Sequence, residues 1–70
     1  MDTVVVGDFP SFTNARNFEA DLREQFPQVR IDPEEGYEVY AINLSDYESH
    51  KVEIDRIIRD NGGQIVWERP

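Results

Sequence analysis

Sliding the chain along itself by 36 residues brings its apolar positions into coincidence: Phe18 falls on Ile54, Leu22 on Ile58, Val29 on Ile65 and Ile31 on Trp67. Two copies of one pattern call for two copies of one supersecondary unit. In 70 residues the two cannot have separate cores, because a chain of this size buries only about 60% of the surface its unfolded form exposes. There is no cysteine to staple them, so disulfides and thiolate metal sites are excluded. One domain over residues 1–70, held by shared aliphatic and aromatic packing, is the expectation.

Each half reads as strand, helix, strand. Val4-Val5-Val6 is a β-branched run stopped by Gly7-Asp8 and Pro10, a strand with its terminator. Ser11 to Asn14 offer capping side chains. Ala15, Phe18, Leu22 and Phe26 then step by three and four, one face of a helix, which Pro27 closes by restricting Phe26. Val29 and Ile31 alternate with polar neighbours as a short strand, and Asp32-Pro33-Glu34-Glu35-Gly36 is a turn. In the second half, Tyr37 to Leu44 is a longer apolar strand. Ser45 and Glu48 have the spacing of a capping box. Ile54, Ile57 and Ile58 give the apolar stripe of a second helix with Val52 on its flank, Asn61-Gly62-Gly63 ends it, and Ile65-Val66-Trp67 is the last strand. The predicted fold is α+β: a ferredoxin-like, split βαββαβ arrangement with a four-stranded antiparallel sheet and two helices on one face.

Such a sheet leaves its other face open. Val4, Val6, Val29, Ile31, Ile65 and Trp67 are assigned beneath the helices, and the period of two turns Val5, Arg30 and Val66 outward. Both faces of the third strand are apolar, Val39 and Ala41 on one, Tyr40 and Ile42 on the other. Placing the second pair outward predicts an exposed patch of Val5, Tyr40, Ile42 and Val66, with Arg30 beside it. Exposed apolar patches of this kind mark interfaces, including a homodimer formed sheet against sheet.

Charge narrows the partners. Fifteen acidic residues against seven basic ones leave a net charge of −8, which opposes direct contact with nucleic acid, held chiefly by Lys and Arg on phosphates, and with anionic membranes. It favours a basic protein surface through long-range steering. Lys51 is the only lysine beside six arginines, which also suits an acidic surface that serves only solubility or salt adaptation. The carboxylates singled out for partner binding are Glu34, Glu35 and Glu38 at the turn, with Asp21, Glu24, Glu53 and Asp55 on helix exteriors. Met1-Asp2-Thr3-Val4 lacks the basic and apolar regions of a secretory signal, and no segment approaches the ~20 apolar residues of a membrane span. A cytoplasmic location, in the cell or an infected host, is expected.

Catalytic groups are sparse. His50 is the only histidine and sits early in the second helix, a solvated position. Ser11 and Ser45 are explained by capping. Asp8 ends the first strand without a metal-ligating partner at useful spacing. The Asp32–Glu38 carboxylates lack the alternating oxygen donors of a calcium loop. No glycine loop opens a helix to cradle phosphate. The first strand has valines where an RNA-reading sheet needs stacking aromatics. No enzyme activity, cofactor or metal is expected.

The opening Val4-Val5-Val6-Gly7-Asp8-Phe9, with Ser11 and Asn14-Ala15 leading into a helix, resembles the start of a SPOR (sporulation-related repeat) domain. That family pairs a strand ending in V-G-x-F with a helix beginning near N-A, on a βαββαβ plan that would cover the whole chain. The resemblance implies that topology, and it implies binding of peptidoglycan glycan strands on the open sheet face. The chain departs from the family in having Val5 where a polar residue is common, and Ile42-Asn43-Leu44 where a second V-G-x-F-like element would follow the third strand. From the residues alone, small size, acidity and missing catalytic groups favour a protein-binding inhibitor. It would mimic nucleic acid in a partner's basic groove, as phage-encoded anti-defence (anti-CRISPR) proteins do.

Overall fold

The structure, a computed structural model, describes residues 2–34, 36 and 38–69, with the side chains of residues 67–69 outside that description. Glu35 therefore lies outside the described residues, as does the side chain of Trp67. The elements are β1 (Thr3–Gly7), α1 (Phe12–Gln25), β2 (Ile31–Pro33), β3 (Tyr40–Asn43), α2 (Leu44–Ser49), α3 (Lys51–Asp60) and β4 (Gln64–Arg69). The strands form one antiparallel sheet in the order β2-β3-β1-β4, the order of a split βαβ fold. Ser11 caps α1 by accepting from the Asn14 N–H at 3.1 Å.

The second helix is two helices, and the repeat itself explains why. The 36-residue shift lays Lys51 on Ala15, which is wholly buried. In one continuous helix, Lys51 would join the stripe of Tyr47, Ile54 and Ile58 that faces the core. A break at His50 (φ −135°) ends α2 and turns Lys51 to solvent. There its ammonium donates to the Tyr47 hydroxyl at 2.9 Å and to Asp55 at 3.0 Å. The capping box assigned to Ser45 and Glu48 is also corrected. Asn43 caps α2, its side chain accepting from the Asp46 N–H at 3.0 Å, while Ser45 lies inside the helix. Strand β2 runs later than expected and takes in Asp32 and Pro33, which an edge strand tolerates because the missing N–H faces outward.

The core contains Val4, Val6, Phe18, Leu22, Ile54 and Ile58, so both halves feed it. It also contains Tyr40 and Ile42, and here the open-face assignment is overturned. The register sets Val4 opposite Ile42 and Val6 opposite Tyr40, and directly opposed residues share a face, so both lie under the helices, completely buried. Volume supplies the reason. The Tyr40 ring closes an aromatic cluster with Phe18 and Phe9, at centroid distances of 5.5 and 6.3 Å, a space that Val39 or Ala41 would leave empty.

Candidate interaction surface

With Tyr40 and Ile42 removed, the open sheet face is built from smaller side chains. Val5 lies opposite Ala41, both half-buried. Gly7 is flanked by the methyl groups of Val39 and Val66. Between Val5 and Val6 the β4 register steps from Trp67 to Ile65, making Val66 the extra residue of a bulge; it is 44% exposed. Thus Val5 and Val66 fall where the sequence placed them. Toward β2 the face deepens into an open groove of about 450 Å³, lined by Thr3, Arg23, Arg30, Asp32, Ala41 and Asn43 among others.

Arg30 is exposed but not free. Its backbone N–H and its Nε both donate to Asp46 Oδ2 at 2.9 Å, and Nη2 donates to Oδ1 at 3.3 Å. The side-chain and backbone bonds from Arg30 hold the Asp46 carboxyl below its ordinary value. Three other cations are likewise paired. Glu19 pairs with Arg16 at 3.4 Å and Arg23 at 3.0 Å, and Lys51 pairs with Asp55. Asp55, predicted as a free surface carboxylate, is instead half-buried and also accepts from the Tyr47 hydroxyl at 2.6 Å. Burial and that hydrogen bond push the Tyr47 phenol up. His50 stacks on Phe26 at 4.6 Å and lies 3.3 Å from the Gln28 amide, packed at the junction of α2 and α3.

The remaining predicted carboxylates do not form one patch. Glu34 and Glu38 flank the tip between β2 and β3, where the Glu34 N–H donates to the Val39 carbonyl. Asp21 on α1 is exposed and accepts from buried Asn61 at 3.1 Å. Glu24 is exposed near the end of α1, and Glu53 is exposed in the first turn of α3. Antiparallel packing sends Glu53 to the end of the molecule away from the tip, since the start of α1 meets the end of α3 through Asn14 and Asn61 at 3.2 Å.

Two further exposed acids lie outside the predicted set, Asp8 just after β1 and Asp60 at the end of α3, where the following turn at Gly62 lies against Pro10. Asp8 has a left-handed backbone (φ 59°) and accepts from Gln64 at 2.6 Å. Its conformation lays the Phe9 ring against Gly63, where any Cβ would collide with it. Sequence reasoning weighed Asp8 only as a metal ligand; the Gly7-Asp8 pair was nonetheless legible as a turn. Among the described residues no group of three or more His, Asp or Glu is arranged to hold a metal ion, and no helix is long and apolar enough to cross a membrane. Compared with protein-family models, curated proteins and solved structures, the chain matches none.

Proposed function

We propose that the chain acts by binding another protein, as an acidic inhibitor that lays carboxylates into a basic, nucleic-acid-handling groove. One observation carries this reading: the internal ion pairs consume cations faster than they consume acids. Arg16, Arg23, Arg30 and Lys51 are spent on Glu19, Asp46 and Asp55. Asp8, Asp21, Glu24, Glu34, Glu38, Glu53 and Asp60 are left facing solvent without an ion partner among the described residues. Carboxylates spaced over a rigid surface can stand in for phosphates against Lys and Arg, and the field of such a surface steers basic partners toward it. Phage-encoded anti-defence proteins are the class this resembles in size and charge.

The test is capture followed by competition. Proteins retained by the immobilised chain at low salt are eluted, and the chain is titrated against their complexes with labelled nucleic acid. Release of the nucleic acid, weakened by salt and by Glu34→Gln with Glu38→Gln, supports the reading. Failure to capture a nucleic-acid-binding protein, or capture without release, sinks it.

A second reading, glycan binding of the SPOR kind, is favoured by the groove beside Arg30. Its polar rim of Thr3, Asp32 and Asn43 over an apolar floor at Ala41 is chemistry that suits sugar hydroxyls. Pelleting with denuded peptidoglycan that is lost in Asp32→Ala and Thr3→Ala supports it; a chain left in the supernatant removes it.

A further inference from the structure

The two edges of the sheet are finished differently. β2 has three residues, ends in Pro33, and has its Ile31 carbonyl occupied by Arg23 Nη2 at 3.2 Å. Short length, proline and a covering side chain are the usual ways of blunting an edge. β4 has six residues, contains no proline and pairs only with β1. Among the described residues no side chain bonds its outward backbone. Alongside runs a groove of about 190 Å³ between α3 and β4, lined by Asp55, Ile58, Arg59, Gly63, Gln64 and Ile65. The floor is apolar. The α3 wall carries Asp55 and Arg59, opposite in sign and one helical turn apart. Asp55 already accepts from Tyr47 and Lys51. A carboxylate, with about four acceptor sites, can take a further donor, as Glu19 does from Arg16, Arg23 and Tyr40. Arg59 is exposed and makes no ion pair among the described residues.

The geometry points to a second copy of this chain as the occupant, with β4 paired antiparallel to β4 of the copy and each Arg59 meeting Asp55 of the other. A two-fold contact requires a patch that complements itself. Antiparallel pairing of the edges carries α3 past its counterpart in the opposite direction, and the two-fold then exchanges the ends of the groove, setting acid against base at both. The bulge at Val66 shortens the run of regular pairing and adds twist, so the helix-borne charges fix the register. The dimer leaves the open sheet face and the acidic β2–β3 tip uncovered, and it stands or falls separately from the inhibitor reading.

Sedimentation equilibrium of the full chain, with Arg59→Glu and Ala41→Glu variants, tests it at ionic strengths from about 0.02 to 0.5 M. The wild type is expected to dimerise more strongly as salt rises, because each copy carries −8 and repulsion is screened beyond about 8 Å at 0.15 M. Arg59→Glu should weaken association about tenfold or more. Ala41→Glu, central on the open face, should leave it unchanged. A wild type that stays monomeric at the highest salt overturns the proposal, and so does association lost in Ala41→Glu but kept in Arg59→Glu. Amide exchange keeps the test open should a variant fail to fold. Protection of the Ile65–Trp67 amides that rises with wild-type concentration supports the contact, and concentration-independent exchange overturns it.

Discussion

Tyr40 lies wholly inside the protein, yet its hydroxyl is 3.1 Å from Glu19 Oε1, whose carboxylate also holds Arg16 and Arg23. A buried hydroxyl without a partner would cost about 1–3 kcal/mol, and this acid helps a tyrosine fill the aromatic cluster. Burial first, and the Glu19 bond second, push the phenol from 10.0 up to about 12. A group whose folded pKa is raised contributes stability that is complete below its unfolded value and disappears as pH climbs through the folded one. The contribution of Tyr40 is therefore present below pH 10 and lost between 10 and about 12. Tyr47 is shifted in the same direction. Tyr40→Phe should cost about 1 kcal/mol near neutral pH and make the alkaline loss of stability shallower. Denaturant titrations across the alkaline range measure both, and an unchanged slope would show that Tyr40 does not carry the effect.

Among the elements, the junction of β3 with α2 gives the sharpest test, because the strand runs into the helix at Asn43 with no loop between them. If Asn43 is the cap, Asn43→Ala should destabilise by about 0.5–2 kcal/mol, while Ser45→Ala stays within about 0.5 kcal/mol. Equal effects in urea denaturation would restore the Ser45 capping box. Legibility in the sequence follows the same line. The strand–helix–strand plan of each half was readable because Val4-Val5-Val6 is a β-branched run closed by Gly7-Asp8, and because Phe18 and Leu22, like Ile54 and Ile58, repeat at helical spacing along one face. Tyr40 and Ile42 were misplaced because β3 is apolar on both faces, and a period of two cannot choose between them; only the register against Val4 and Val6 does. The break at His50 turned on one charged residue, Lys51, standing where the repeat has Ala15, and a stripe counted from Ile54, Ile57 and Ile58 alone passes over it.

Across the whole molecule the charge was legible as a sum but not as a distribution, since pairing partners such as Arg30 and Asp46 or Arg23 and Glu19 are chosen by folding. What the pairs leave behind is acid at the β2–β3 tip, at Glu34 and Glu38, and acid on the helix exteriors. Carboxylates held this way repel one another, and net charge far from zero works against the compact state. Raising salt from about 0.02 to 0.5 M shortens the reach of that repulsion to a few ångströms, so the melting temperature of dilute protein should rise with salt. Glu34→Gln with Glu38→Gln should reproduce part of the gain at low salt and lose its advantage at high salt, because it removes the same repulsion by chemistry rather than by screening. Calorimetry of the two proteins across the salt series measures this. A double variant less stable than wild type at low salt would mean that these acids are engaged in stabilising contacts rather than held against their own repulsion. Where the variant is more stable yet no longer displaces nucleic acid from a basic partner, the acidic tip is kept at the expense of stability because it binds.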